Sequence, residues 1–278
     1  MTLVNELPEH PALKPVDAPN RVLQMSESQA MFEMGAFLAA SPVLRLLGRG
    51  DRHPVLVLPG FTAADSSTVP LRWVLRSQGY WTHGWGLGQN MGPTGRIIRG
   101  MRQRLEMLAD RHGRAVSLIG WSLGGIYARE LARENPDVVR QVITLGSPFR
   151  LEPGDQSTAS PIADRVAHRW RAEELRMTES ELSKPPVPVP STAIYSRSDG
   201  VVRWHTCINE ACENHENIEV RGTHIGLAWN PFVVYAISDR LAQPEGTWQP
   251  FKAPLALRYH YPRPADWDHE RRMAPLAG

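Results

Sequence analysis

Apolar residues along this chain follow two alternating patterns. Short unbroken aliphatic runs are separated by longer stretches with apolar positions three and four apart. The first run, Pro-Val-Leu-Val-Leu at 54–58, has no polar interruption, as a strand buried on both faces requires. Similar runs predict strands at 80–85, 115–119, 138–145, 192–196 and 217–220. Helical spacing fills the gaps. Residues 69–77 have Pro70 near the first turn, and residues 96–111 put Ile97, Met101, Leu105 and Leu108 on one face. The pattern at 123–134 is stopped by Asn135-Pro136, and a last helix is expected at 231–241. Strand and helix in alternation predict an α/β fold, a mostly parallel sheet of about six strands flanked by helices.

Three segments fall outside this alternation. In 1–51, Pro8, Pro11, Pro15 and Pro19 predict an extended arm over 1–24. Met31, Met34, Phe37 and Leu38 then predict a helix over 25–38 with Ser26 or Ser28 as its cap. Residues 149–190 interrupt the α/β core, which is expected at 52–148 and 191–243. This insertion between two late strands opens with Pro153-Gly154-Asp155 and ends in Pro185-Pro186-Val187-Pro188-Val189-Pro190. Its one amphipathic segment has Ile162, Val166 and Trp170 on a face, and its length predicts a lid or cap. The tail, 244–278, has no clear period and is expected to wrap the surface. No internal repeat is found.

Composition narrows the function. The chain has 278 residues, 42% hydrophobic and 22% charged, ordinary for a globular protein. A net charge of +2, without a basic stripe interleaved with aromatics, argues against a nucleic-acid partner. The longest apolar stretch, 31–47, is broken by Glu33, Pro42 and Arg45, so no transmembrane segment is expected. The N-terminus shows no basic region followed by an apolar one, which predicts a cytoplasmic protein. Cys207 and Cys212 are the only cysteines; reduced thiols are expected, with a small-loop disulfide as the alternative.

The chemistry concentrates at Gly120-Trp121-Ser122-Leu123-Gly124, where an apolar run stops and a helical pattern starts. A G-x-S-x-G sequence in that context predicts a sharp turn exposing the Ser122 hydroxyl at the carboxyl edge of the sheet. A serine hydroxyl needs a base at neutral pH, and in this architecture acid and histidine follow the nucleophile in the chain. Asp199, in a turn just after a strand, is the candidate acid; Asp155 and Asp164 have no strand before them. His224, in a loop flanked by Gly222 and Gly226, is the candidate base, with His205 and His215 as competitors. His10, His53, His83, His112, His168, His260 and His269 occupy no position this mechanism can use. The oxyanion formed on attack needs placed N–H donors, expected from Leu123 and from Phe61 in the Pro59-Gly60-Phe61 loop. Trp121, Trp170 and Leu227 are candidates for an apolar acyl pocket. No HExxH pair or zinc-ligand spacing is present, and no cofactor or metal is needed by this chemistry.

Leu-Pro-Gly-Phe, Gly-Trp-Ser-Leu-Gly-Gly, Leu-Gly-Ser-Pro-Phe, Ser-Arg-Ser-Asp-Gly-Val-Val and Gly-Thr-His-Ile-Gly-Leu occur in this order. Together they resemble the α/β-hydrolase superfamily, most closely bacterial esterase- and lipase-like serine hydrolases, over roughly residues 52–243. The resemblance implies Ser122 as nucleophile, Asp199 as acid, His224 as base, and the Phe61 and Leu123 amides as oxyanion donors. It departs from the pattern at Pro59-Gly60, where many lipases have His-Gly. The implied function is hydrolysis of a small-molecule carboxylic ester of short or medium acyl chain through an acyl-enzyme. The alternatives are an acyltransferase using the same intermediate, or a lipase acting on longer-chain lipid.

Overall fold

The computed structural model describes residues 15–47, 50–152, 154–171, 176–179, 181 and 184–265. Six strands form one sheet, β1 (Pro54–Leu58), β2 (Trp81–Gly84), β3 (Val116–Trp121), β4 (Val139–Leu145), β5 (Ser191–Tyr195) and β6 (His215–Glu219). Their spatial order is β2-β1-β3-β4-β5-β6 and every pairing is parallel. All five residues of β1 and all seven of β4 are buried, which explains the unbroken aliphatic runs.

Alternation along the strands divides the core into two layers. Val55 and Val57 of β1 face one cluster, with Phe37, Leu71, Val74, Val233, Val234 and Ile237. Leu56 and Leu58 face the other, with Ile97, Met101, Leu105, Tyr127 and Leu131. The first layer is supplied by α2 (Ala30–Leu44), α3 (Val69–Ser77) and α7 (Pro231–Ala242), the second by α4 (Gly95–His112) and α5 (Leu123–Glu134). Local signals set the helix ends. Thr94 Oγ1 accepts the Ile97 N–H at 3.4 Å and Gly113 closes α4 in the left-handed region. Asn230 Oδ1 accepts the N–H groups of Phe232 and Val233 at the start of α7.

The N-terminal region departs from expectation. A short helix α1 (Arg21–Ser26) begins inside the expected arm, and its cap is Asn20, whose side chain accepts the Leu23 N–H. Ser26 and Ser28 do not cap; their hydroxyls donate back to Leu23 O and Met25 O. A 3₁₀ turn, Glu27–Gln29, joins α1 to α2, which runs past 38 and through Pro42 to Leu44. Pro42 leaves the Leu38 carbonyl without its helical donor, and the Ser41 hydroxyl bonds that carbonyl at 2.9 Å. Of the extended arm, residues 1–14 lie outside the described residues.

The insertion is tied down at both ends. Val16 N–H donates to Asp155 Oδ1 and Gln156 N–H to Val16 O, each at 2.8 Å. Thr158 donates from its N–H to Val201 O and from its hydroxyl to Gly200 O, each at 2.9 Å. A helix α6 (Ser160–Val166) follows, and Trp170 Nε1–H donates to Met91 O at 3.0 Å. Ile162, expected on a buried face, is exposed, and α6 buries none of its residues. Further on, Glu181 pairs with Arg129 and Arg133 of α5, while Arg129 also reaches Ser191 Oγ and Asn209 Oδ1. The tail wraps the core as far as it is described: Tyr261 donates to Phe232 O at 2.6 Å and Ala265 N–H to Tyr195 Oη at 2.7 Å.

Candidate active site

The strand order reverses between β1 and β3, because the chain leaves β1 toward β2 at one edge and leaves β3 toward β4 on the other side. Loops at the carboxyl ends of two such strands diverge and leave a crevice, where ligands bind in open α/β sheets. The β1 loop carries Pro59, Gly60 and Phe61; the β3 loop is Ser122 itself.

Ser122 sits at φ 52° and ψ −123°, a left-handed conformation that a side-chain-bearing residue rarely adopts. The turn is held by the Ser122 N–H bonding to Leu145 O at 2.8 Å and by close contact of its glycines with neighbouring backbone. A Cβ on Gly120 would lie 2.3 Å from Gly124 O, and one on Gly124 would lie 2.3 Å from Leu58 O. The elbow therefore packs α5 directly against the end of β1. Among the described residues, the N–H groups of Phe61 and Leu123 have no acceptor, whereas Thr62 N–H is taken by Asn90 O and Ala63 N–H by Gly60 O.

Asp199 and His224, both buried, are joined from Asp199 Oδ2 to His224 Nδ1 at 2.6 Å. The other carboxylate oxygen accepts the N–H groups of Val201 and Val202 at 2.8 Å, which fixes the carboxylate plane. Burial alone would lower the imidazole pKa; the charge and hydrogen bond of Asp199, aided by the charge of Glu27, outweigh it and raise the value above the ordinary one. Ser196 Oγ donates to Gly222 O at 2.6 Å and so ties the loop after β5 to the loop after β6. The residue before Ser122 also touches His224: Trp121 Nε1–H donates to His224 O at 3.1 Å. The link from the Ser122 hydroxyl to the imidazole is not among the hydrogen bonds of the described residues.

His215 is the first residue of β6 rather than preceding it, with Nε2 2.9 Å from Val187 O. His205 lies in the 3₁₀ turn Trp204–Cys207, edge-on to Trp204. Of the pocket candidates, Trp121 is beside His224 and Trp170 is on the 86–95 loop, but Leu227 is fully buried in the aliphatic core. It packs behind Gly146 and presents no surface to a ligand. Cys207 is buried and Cys212 exposed, both as free thiols.

Several residues that shape the site were not found from sequence. Asn90, fully buried, donates from Nδ2 to Pro59 O at 2.9 Å, and its backbone pairs with Thr62 and Ala63. Asp65 accepts the N–H groups of Trp85 and Gly86, both at 2.9 Å, and holds the same loop from below. Glu27 and Glu33, on the N-terminal helices, accept hydrogen bonds from the loop that carries His224. None of the four lies in a motif, and their partners are remote in the chain.

No protein-family model matches the chain, and no curated protein matches it. Solved structures do. Lipase B of Aspergillus fumigatus aligns with 72% of this chain at 16% identity and a TM-score of 0.54, the chain spanning 55% of that protein's length. The monoacylglycerol lipase of Paleococcus ferrophilus aligns with 70% of this chain and 96% of its own at 12% identity and a TM-score of 0.51. Among the described residues, no helix is long and apolar enough to cross a membrane. With the six-stranded parallel sheet, the helices on both faces and the strained turn after β3, these alignments establish that the chain has the α/β-hydrolase fold.

Proposed function

We propose that the protein hydrolyses small carboxylic esters through an acyl-enzyme on Ser122. The observation that carries this reading is the hydrogen-bonded Asp199–His224 pair at the same sheet rim as the positive-φ serine. Asp199 holds the imidazole with its Nδ1–H toward the carboxylate, which leaves Nε2 free to accept a proton. As the Ser122 oxygen attacks the ester carbonyl, His224 takes the hydroxyl proton. The Phe61 and Leu123 amides stabilise the negative charge that develops on the carbonyl oxygen. The C–O bond to the alcohol breaks, and the alcohol departs with the proton held by His224. Water then attacks the acyl-enzyme, giving its proton to His224; the acid leaves and the proton returns to Ser122. Both structural neighbours are named as lipases, an activity the same arrangement would supply.

The segment 155–170 is read as a cover for this site. It is bonded at Thr158 to the loop after β5 and at Trp170 to the loop after β2, two strands that flank β1, β3 and β4 in the sheet. A strap between those loops would pass over the carboxyl ends of the central strands and limit the length of acyl chain the site takes.

Labelling with a fluorophosphonate probe tests the nucleophile. Wild type should label and Ser122→Ala should not. Equal labelling of both removes Ser122 from the reaction, and a wild type that neither labels nor turns over any aryl ester removes the hydrolase reading.

A further inference from the structure

Glu27 lies far outside the run of motifs, in the turn between α1 and α2, yet its side-chain carboxylate bonds the loops that carry Asp199 and His224. Its Oε1 accepts the N–H of Gly200 at 2.8 Å and the N–H of His224 at 2.9 Å. Its Oε2 accepts the N–H of Ile225 at 2.9 Å. Gly200 follows Asp199 directly, so one carboxylate bridges the loop after β5 to the loop after β6. We propose that Glu27 is a positioning residue for the Asp199–His224 pair, stapling the two loops together from outside the sheet.

The glycine after Asp199 supports this assignment. A Cβ on Gly200 would lie 2.2 Å from Leu23 O and 2.9 Å from Glu27 Cγ. The Asp-Gly pair thus serves the close approach of α1, not only a turn. Glu33, two turns further along, supports the base loop alone. It accepts from the Thr223 hydroxyl at 2.6 Å and from Thr223 N–H and Asn230 Nδ2, and a Cβ on Gly226 would fall on its carboxylate. The two glutamates therefore divide the work. Glu33 anchors the loop, while Glu27 sets the distance between acid and base.

Three N–H donors on one carboxylate are charge-assisted bonds, stronger and more directional than neutral ones. The same charge faces the imidazole. Asp199 and Glu27 are the charged groups that act on His224, and both favour its protonated form. Glu27 therefore acts in two ways, through the backbone position of His224 and through the field on its ring as it takes the serine proton. It touches neither substrate nor reacting atoms.

The test compares Glu27→Gln with Glu33→Gln in the full chain. Glutamine at 27 keeps the shape, loses the charge, and turns an NH₂ toward backbone donors. Expected for Glu27→Gln is a fall in kcat of roughly tenfold to a hundredfold, the effect of a small misplacement of catalytic groups, with KM little changed. The His224 imidazole, followed by NMR, should titrate at lower pH than in wild type, and the acid limb of kcat/KM should move with it. Glu33→Gln should lower Tm without moving that titration. A folded Glu27→Gln protein with wild-type kcat, or with an unmoved imidazole titration, overturns the proposal. Should Glu27→Gln not fold, Glu27→Asp keeps the charge but ends one methylene short of the three N–H groups; lost kcat supports the proposal and wild-type kcat overturns it.

The rate measurements rest on the hydrolase reading, and the NMR titration does not. If wild type turns over no ester while Glu27→Gln still lowers the titration of His224, the hydrolase reading fails and the role of Glu27 stands. If wild type is active and the titration is unmoved, only the role of Glu27 fails.

Discussion

The Ser117 hydroxyl lies 3.0 Å from Nε2 of His53, whose Nδ1 contacts Asp51, so β3 carries a serine–histidine–aspartate chain near its start and Ser122 just past its end. The two serines sit in different surroundings. Ser117 sits in the regular part of the strand, with no solvent exposure and with Gln141 also donating to its oxygen. Burial lowers the His53 pKa despite the neighbouring Asp51, which keeps the ring neutral within the core. A hydrogen-bonded chain of these three groups is therefore a way to bury polar atoms, while access and strain separate it from a catalytic one.

Ser117→Ala should accordingly retain ester turnover and probe labelling while losing about 1–3 kcal/mol of stability, because His53 Nε2 is left without its buried partner. Urea denaturation read alongside labelling checks both halves. Lost labelling in a folded Ser117→Ala protein would mean that the reactive serine has been misassigned.

Backbone strain at Ser122 makes a prediction of opposite sign. A non-glycine residue held at φ 52° costs on the order of 1–3 kcal/mol. Ser122→Gly should be at least as stable as Ser122→Ala, even though glycine's freer unfolded chain costs about 0.4–1 kcal/mol. Thermal unfolding of the two inactive variants decides it; a clearly lower Tm for the glycine variant would show that the elbow is not strained.

On the proposed mechanism the pH profile follows from His224, which can take the serine proton only when neutral. Its folded-state pKa is raised, burial being outweighed by Asp199 and then Glu27, so protonation begins above the ordinary value of 6.5. Activity should be lost as pH falls through a midpoint above 6.5, seen in the acid limb of kcat/KM. Asp199→Asn should lower that midpoint and cut turnover by about 10⁴-fold, through the wrong tautomer. A wild-type midpoint well below 6.5 would argue for a different base.

Acid stability is expected to depend on Glu181. Burial raises its carboxyl, but Arg129 and Arg133 bring it from 4.5 down to about 2. Because the folded value lies below the unfolded one, the stabilisation is complete above 4.5 and is lost as pH falls toward 2. Glu181→Gln should be less stable than wild type by a few kcal/mol at neutral pH, with the gap closing on acidification. Parallel pH–stability curves for the two proteins would contradict this.

If the segment from 155 to 170 covers the site, its indole anchor on Met91 sets the depth of the space beneath. Trp170→Ala should then shift preference among acyl-chain lengths while leaving the shortest ester near wild-type turnover. An unaltered profile across a series of p-nitrophenyl esters would place the segment at the side of the molecule.

Elements built from local chemistry were legible in advance. The runs at 54–58, 69–77 and 123–134 became β1, α3 and α5 without change, since buried strands demand unbroken aliphatics and helices demand spaced ones. The elbow was equally readable, because each of its glycines answers a contact within a few residues or at the neighbouring strand. Where a distant partner decided the outcome, the pattern misled. The arm expected over 1–24 gives way to α1 at Arg21, whose preceding turn and helix dock on the loops after β5 and β6. Leu227 reads as a pocket residue beside the base, but the core behind Gly146 takes it.

The amino-acid order alone determined the class of sheet, the sharp turn at Ser122, and that Asp199 and His224 each follow a late strand. These depend on side-chain period, glycine space and turn chemistry, all written within short windows. Only tertiary structure decided that the N-terminal region bonds the loops carrying Asp199 and His224. Glu27 meets His224 across 197 positions of sequence, and a carboxylate in a short turn between helices carries no local mark of the three distant amides it will bind.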